Sequence, residues 1–210
     1  MPDTEVTEGP RGRRAETKAA NRDAILQAAR GVFARMGVDA ATVRDIIRET
    51  DLASGTFYNY FKSKEDIFQA IADDSTARFR TILKDVREAA PDFATYILAA
   101  YRAYFQFLSD ENNEAISNGA PHMALIGVRV DTPEMKAIVA EIRSDIDVRL
   151  RQNALPHADA AYVAAAAVGI ARELGDVMLQ RRPVDVDGAT QFAANLLQVG
   201  LRDQMAAAPE

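Results

Sequence analysis

Polar and aromatic side chains suited to contacting nucleic acid are concentrated on one short predicted helix, Ser54 to Phe61. Its hydroxyl, phenol and amide groups can bond to base edges and phosphate oxygens. These groups belong to Ser54, Thr56, Tyr58, Asn59 and Tyr60. Gly55 lets a backbone approach closely, and Arg44 in the preceding segment is long enough to reach a guanine edge. Phe57 and Phe61 are predicted to turn inward, so the pattern predicts a helix that reads a DNA groove.

A second short helix must hold this one in place, because a helix of eight residues is too short to be stable alone in water. Val43, Ile46 and Ile47 recur at helical spacing, with Thr42 as a predicted N-cap and Asp45 in the first turn. Residues 50–53 then break the pattern with turn chemistry. Helix, four-residue turn and exposed second helix together predict a helix-turn-helix.

Flanking helices complete the small core of this unit. The preceding helix is predicted from Thr17 to Met36, with Gly37 as its C-terminal stop. A long helix is predicted to start near Lys64, capped by Ser63. The expected core residues are Ile25, Ala29, Val32, Phe33, Val43, Ile46, Leu52, Phe57 and Phe61.

The run TVRDIIRETDLASGTFYNYFKSKEDIF resembles the DNA-binding signature of TetR-type (TetR/AcrR) transcriptional regulators. Asp51 and Ala53 depart from it, since the family usually has Gly and a small hydroxyl residue there. The resemblance implies contacts to bases or the adjoining backbone from Arg44, Ser54, Gly55, Thr56, Tyr58 and Asn59. It implies phosphate contacts from Thr42, Tyr60 and Lys64. For Tyr58 and Tyr60, packing into the small core is the alternative.

The charge distribution agrees with a DNA-binding N-terminal part. The net charge is −6, yet Arg11 to Lys64 holds eleven Lys and Arg against six Asp and Glu. Residues 65–210 hold fourteen against twenty-two. A cationic segment on an acidic body suits a module that docks on phosphates, although ordinary surface variation would also produce it.

The remaining composition excludes several other classes of protein. The 210 residues contain no cysteine, no signal-peptide pattern and no apolar run long enough to cross a bilayer, so we expect a cytoplasmic protein without a membrane partner. The two histidines, His122 and His157, have no second ligand at metal spacing, and common catalytic motifs are missing. We therefore expect no enzyme, no metal and no cofactor. The rival class is a helical adaptor with a vestigial helix-turn-helix.

The whole chain reads as all-α, with about nine helices and three regions. Residues 1–16 are predicted to be a disordered basic arm carrying Arg11, Arg13 and Arg14. Residues 17–63 are the predicted DNA-binding domain, and residues 64–210 are a helical body for ligand binding and dimerisation. Within that body, helices are predicted at 64–90, 93–108, 132–155, 157–182 and 185–205, with a short apolar stretch at 122–130.

The body contains an excess of aromatic and methionine side chains with few charges, which suits a pocket for a small, largely apolar effector. The candidate ligand residues are Tyr96, Tyr101, Tyr104, Phe105, Met123, Met135 and Met178. Ordinary core packing is the alternative for each of them. The resemblance implies a repressor released by its ligand, while a ligand that promotes DNA binding stays open.

The last two helices carry small and apolar residues suited to pairing with a second copy. The candidate interface residues are Ala161, Ala165, Val168, Phe192, Leu196 and Val199. Packing within the chain is the alternative. A homodimer would read a two-fold symmetric, palindromic operator in double-stranded DNA.

Overall fold

The computed structural model describes residues 10–117, 132–152 and 158–206. These residues form eight α-helices and no β-strand, which confirms the predicted all-α fold. The helices are α1 Pro10–Met36, α2 Val43–Arg48, α3 Ser54–Phe57, α4 Lys64–Ala89, α5 Phe93–Ser117, α6 Pro133–Gln152, α7 Ala160–Gln180 and α8 Val186–Ala206. Within the described ranges, none of them has both the length and the apolar character needed to span a bilayer. The predicted apolar stretch at 122–130 lies outside those ranges.

Side-chain and backbone caps set the helix boundaries around the helix-turn-helix. Thr42 and Asp45 form a reciprocal capping box at the start of α2, and Ser63 accepts a hydrogen bond from the Asp66 amide at the start of α4. At the end of α1, Gly37 has φ 77°, a conformation that favours glycine, and its amide donates to the Phe33 carbonyl. These predicted starts and stops are confirmed.

The first helix differs from its prediction at the N-terminal end. It begins at Pro10, so residues 10–16 are helical and the prediction that they belong to a disordered arm was wrong. Proline suits the first helical position, and the Arg, Ala, Glu and Lys residues that follow are good helix formers. Arg14 is exposed, while residues 1–9 lie outside the described ranges.

A compact apolar core holds the first four helices together. Its buried members include Ile25, Phe33, Ile46, Phe57 and Phe61, as the periodicity predicted, while Val43 and Leu52 pack against it half-buried. The core also contains Ile67 and Ile71 of α4. The packed unit therefore extends past the predicted boundary at residue 63 and into the long helix.

A second core fills the body formed by α4 to α8. Phe79 and Leu83 of α4 share it with aromatic residues of α5 and apolar residues of α6, α7 and α8. Since α4 contributes to both cores, it connects them through one continuous helix. Two helices of the body differ from their predicted bounds: α5 continues to Ser117, and α7 begins at Ala160. The last residues predicted for α6, 153–155, lie outside the described ranges.

Candidate nucleic-acid interface and cavity

The predicted groove-reading helix is shorter in the structure than the sequence pattern suggested. Only Ser54–Phe57 is α-helical, so the eight-residue helix was wrong. Ala53 is the N-cap and supplies no side-chain bond. The residues that follow form tighter turns than an α-helix. The Asn59 amide donates to the Thr56 carbonyl and the Tyr60 amide donates to the Phe57 carbonyl, each three residues earlier. One helical turn followed by tight turns therefore displays the polar side chains.

These side chains separate into an outward and an inward set. Ser54, Gly55, Tyr58 and Asn59 are exposed and Thr56 is half-buried, whereas the predicted inward residues Phe57 and Phe61 are buried. Tyr58 is 56% exposed, and its ring lies edge-on to the Phe57 ring with centroids 5.6 Å apart. The buried Phe57 ring therefore packs against the exposed Tyr58 ring and supports it.

Arg44 and Gly55 also lie on the outer surface. Arg44 is exposed on the first turn of α2. A Cβ atom built on Gly55 would meet nothing within 4 Å. The fold itself therefore does not require a glycine there, and the small residue leaves space for a partner outside the chain.

Thr42 is committed to its own helix cap. Its hydroxyl donates to Asp45 Oδ2 at 2.5 Å, and its backbone amide donates to the same atom at 3.1 Å. The hydrogen bond from the Thr42 hydroxyl lowers the pKa of Asp45, which keeps the capping carboxylate charged. Because both donors are engaged, Thr42 does not fit its predicted phosphate contact.

Lys64 makes contacts within the chain that the sequence did not predict. Its Nζ donates to the carbonyl oxygens of Val38 at 2.8 Å, Asp39 at 2.8 Å and Ala41 at 3.1 Å. An ammonium group has three donors, so all of them are used. Lys64 therefore pins the first residue of α4 to the loop between α1 and α2, and it has no donor left for a phosphate.

Tyr60 is intermediate between the exposed and the buried side chains of this segment. It is half-buried against the small core, and its hydroxyl accepts a hydrogen bond from Asn21 Nδ2 at 3.2 Å. The contact fixes Tyr60 against α1, and a phenol that accepts one hydrogen bond keeps its own proton to donate. Sequence reasoning missed Asn21, which gives no periodic signal, and Lys62, an exposed cation directly after the turn.

A separate apolar cavity lies in the body, between α4, α5, α6 and α7. Its volume is about 640 Å³ including the part that opens to solvent. Four of the predicted ligand residues line it: Tyr96, Tyr101, Tyr104 and Met135. None of the other lining residues, which include Ile142, Ile146 and Arg172, was predicted from the sequence as a ligand residue.

The other predicted ligand residues do not line this cavity. Phe105 is fully buried beneath Tyr101, with parallel rings whose centroids are 6.0 Å apart, so it belongs to the core. Met178 is buried at a different groove, between α7 and α8. Met123 lies outside the described residues. The aromatic residues of α5 are thus divided between cavity wall and core by the packing of α7.

A polar network lies behind the cavity wall at Tyr96. The Tyr96 hydroxyl donates to Asp145 Oδ2 at 3.2 Å, and Arg87 Nε donates to the same oxygen at 2.6 Å. The guanidinium of Arg149 lies 4.2 Å from the centre of the Tyr96 ring and donates to the Arg87 carbonyl at 2.9 Å. Burial raises the pKa of Tyr96, so the phenol stays protonated and keeps donating. The network therefore ties the cavity wall to the C-terminal end of α4.

The candidate interface residues of α7 and α8 fall into three groups. Phe192, Leu196 and Val199 of α8 are exposed by 59%, 52% and 53%, and Ala165 of α7 is also exposed. Ala161 is half-buried.

Val168 is the exception, because its side chain lines the cavity. One helical face of α7 therefore turns inward at this position. The outer apolar face comes from the other residues, together with Tyr162, which is 77% exposed.

The N-terminal part of the chain is similar to known bacterial regulators. Residues 25–71 match the family model described as "Bacterial regulatory proteins, tetR family". Two curated relatives are HTH-type transcriptional repressors KstR2. The one from Mycolicibacterium smegmatis is 33% identical over 89 residues, covering 40% of this chain and 43% of the relative. The one from Rhodococcus jostii is 30% identical over 106 residues, covering 49% and 48%. The chain thus spans about half or less of these relatives.

Solved structures resemble the fold over most of its length. The fatty acid degradation regulator FadR from Bacillus halodurans aligns with a TM-score of 0.68 at 19% identity, covering 91% of this chain and 96% of that one. FadR from Bacillus subtilis, solved in complex with stearoyl-CoA, aligns with a TM-score of 0.66 at 20% identity, covering 83% and 96%. These relatives and neighbours are transcriptional regulators. Residues 25–71 contain the helix-turn-helix and its supporting core, and this segment of the chain is a domain of the TetR family of bacterial regulatory proteins.

Proposed function

We propose that the protein is a sequence-specific DNA-binding transcriptional regulator, a repressor that binds a palindromic operator as a dimer and is released by a largely apolar small molecule. The observation that carries the proposal is the outward surface of α2 and α3. Arg44, Ser54, Tyr58 and Asn59 are exposed there, directly above a buried core. These groups can bond to base edges and phosphates, and the cationic N-terminal quarter attracts the duplex.

The DNA-binding unit, first expected to be residues 17–63, is extended in this proposal to include the first turns of α4. Ile67 and Ile71 share the small core with Phe57 and Phe61, so α3 owes its position to α4. Residues beyond that point form the body for effector binding and dimerisation.

A dimer is supported by the apolar surface of the last two helices. Phe192, Leu196 and Val199 lie on one face of α8 and remain about half exposed in the single chain. Clustered apolar side chains at the surface commonly mark an interface between proteins. A single small reading helix contacts few bases, and a dimer doubles the contact at half-sites about one helical turn apart.

The effector is supported by the apolar lining of the cavity in the body. Tyr101, Met135 and Ile142 give it apolar walls, and Arg172 supplies a charged group at one side. FadR from Bacillus subtilis, which shares the fold, was solved with stearoyl-CoA, a ligand with a long apolar chain. An apolar ligand with one polar end fits this lining.

Release by the effector is supported by the link between cavity and α4. Tyr96 lines the cavity and is bonded to Asp145, which is paired with Arg87 near the end of α4. The other end of α4 packs under α3. An effector that favours one arrangement of this network would change the spacing of the two α3 helices, and thereby the affinity for DNA.

Selection of bound sequences from a random DNA pool tests the proposal most directly. We expect an enriched inverted repeat whose half-sites are about one helical turn apart. A mobility-shift assay with competitor DNA should then show a specific shift, and addition of a bound effector should weaken it. The absence of any sequence-specific shift would favour a helical adaptor. A stronger shift with effector would identify a ligand that promotes DNA binding.

A further inference from the structure

A stripe of exposed residues runs along the outer face of α7. Tyr162, Ala166, Gly169 and Glu173 are spaced by three or four residues and are all exposed, so they lie on one helical face. Tyr162, at the start of the helix, is 77% exposed. A Cβ atom built on Gly169 would meet nothing within 4 Å. Packing within the chain therefore does not explain the small residue at the middle of the stripe.

A groove lies at the opposite end of the same helix, between α7 and α8. Its apolar lining includes Val177, Met178 and Phe192, and its polar lining comes from Arg181 and Asp185. The volume is about 650 Å³ including the part open to solvent. An apolar floor with polar groups at the edge suits an aromatic ring that carries a hydroxyl.

Two-fold symmetry links the exposed tyrosine to this groove. Suppose that α7 pairs antiparallel with its copy and that the two-fold axis passes near Ile170. A residue on one side of Ile170 then faces the residue of the other chain that lies equally far on the other side of Ile170. Tyr162 then faces Val177 and Met178 of the partner subunit. At about 1.5 Å per residue, both lie about 10–12 Å from the axis. The small residues Ala166 and Gly169 fall near the crossing, where the helices must approach most closely.

Charge favours the antiparallel arrangement over a parallel one. Asp159, the N-cap of α7, is exposed, and so is Arg181 directly after the last turn. In the antiparallel register, Asp159 lies at the level of Arg181 of the partner subunit, and symmetry repeats the pair. A parallel register would instead place like charges side by side at both ends. Glu173 lies within about one turn of the axis, and its long side chain can extend to the solvent at the rim.

We propose that α7 pairs antiparallel with its copy, so that Tyr162 of each chain fills the groove between α7 and α8 of the other. The pairing rests on the proposed dimer and specifies its register. Tyr162 is the anchor, and the Asp159–Arg181 pairs at both ends fix the direction. A crossing angle of about 20°, as in four-helix bundles, keeps the two helices within side-chain reach over this length.

Cysteine cross-linking tests this register, because the chain has no cysteine of its own. The variant Y162C/V177C carries two thiols separated by fifteen residues of one helix, about 22 Å. A disulfide spans only about 4.4–6.8 Å between Cα atoms, so any bond must join two chains. We expect a covalent dimer on a non-reducing gel after mild oxidation or a short bis-maleimide linker. The Y162C and V177C single variants, in which equal positions lie far apart, should stay monomeric on that gel.

A covalent dimer from Y162C alone would establish a parallel register and overturn the proposal. A protein that elutes as a dimer in gel filtration without cross-linking in Y162C/V177C would place the interface elsewhere. An elution volume matching the 22.9 kDa monomer would overturn the proposed dimer itself. Circular dichroism of each variant serves as the check on folding, since both substituted residues are exposed.

Discussion

Replacing Lys64 by methionine separates a structural role from a DNA-contacting one. Methionine keeps a chain of similar length and removes the ammonium group alone. In the native protein this group bonds to the carbonyls of Val38, Asp39 and Ala41 at 2.8, 2.8 and 3.1 Å. It also sits on the first residue of α4, where a positive charge opposes the helix dipole. The carbonyl acceptors offset that unfavourable position, so we expect the substitution to cost stability.

The size of the loss follows from the burial of the three bonds. The bonds to Val38 and Ala41 are partly buried and the one to Asp39 is exposed. A hydrogen bond to a charged group contributes about 1.5–3 kcal/mol, and the two partly buried bonds at the low end of that range give about 3 kcal/mol. For a chain of this size, each kcal/mol lowers the melting temperature by about 2–4 °C. We therefore expect K64M to melt about 6–12 °C below the native protein.

Thermal unfolding followed by circular dichroism measures this effect, with K62M as the matched control. Lys62 lies two residues earlier and is exposed, so its loss should change stability by no more than about 0.5 kcal/mol. DNA affinity is measured in parallel over a range of salt concentrations, well below the melting transition. An unchanged melting temperature in K64M, with a salt slope lower by about one unit, would show that Lys64 binds a phosphate and would refute the structural reasoning.

Three further substitutions test the interface, the core and the link to the cavity. Tyr58→Ala should weaken operator binding in a filter-binding titration without lowering the melting temperature, because the ring is 56% exposed; equal affinity would remove Tyr58 from the interface. Phe57→Ala should destabilise the protein by about 3–5 kcal/mol in denaturant unfolding, because the ring is fully buried; a near-native midpoint would contradict that core. Tyr96→Phe keeps the ring in the cavity and removes the bond to Asp145. This variant should bind DNA normally without effector, and effector should release it from DNA less well than it releases the native protein. Release equal to that of the native protein would show that the hydrogen bond from Tyr96 to Asp145 does not link the cavity to α4.

Local patterns in the sequence predicted the features that depend on neighbouring residues. The capping box of Thr42 and Asp45, the cap at Ser63 and the glycine stop at Gly37 were predictable because their partners lie within four residues. The residue pattern likewise predicted that Phe57 and Phe61 would turn inward, and both are buried. The helix-turn-helix was thus largely determined by short-range chemistry.

Contacts between residues distant in the chain required the tertiary structure. A lysine at this place in the sequence looks like a phosphate ligand. The carbonyl oxygens that accept its hydrogen bonds, however, belong to residues 23 to 26 positions earlier, and no sequence pattern predicts contacts over that separation. The capping bonds of Thr42, in contrast, are local, and they use both of its donors.

The cavity shows most clearly what the sequence determined and what it did not. Aromatic residues on α5 were predictable, but Tyr101 and Phe105 are one helical turn apart and look equivalent in the sequence. Packing against α7 distinguishes them, because the Tyr101 hydroxyl donates to the Ala167 carbonyl at 3.2 Å while Phe105 stacks beneath it. The sequence by itself determined most of the helical segments and their apolar faces. Only the tertiary structure decided which apolar side chains face a cavity, because that depends on how closely separate helices approach one another.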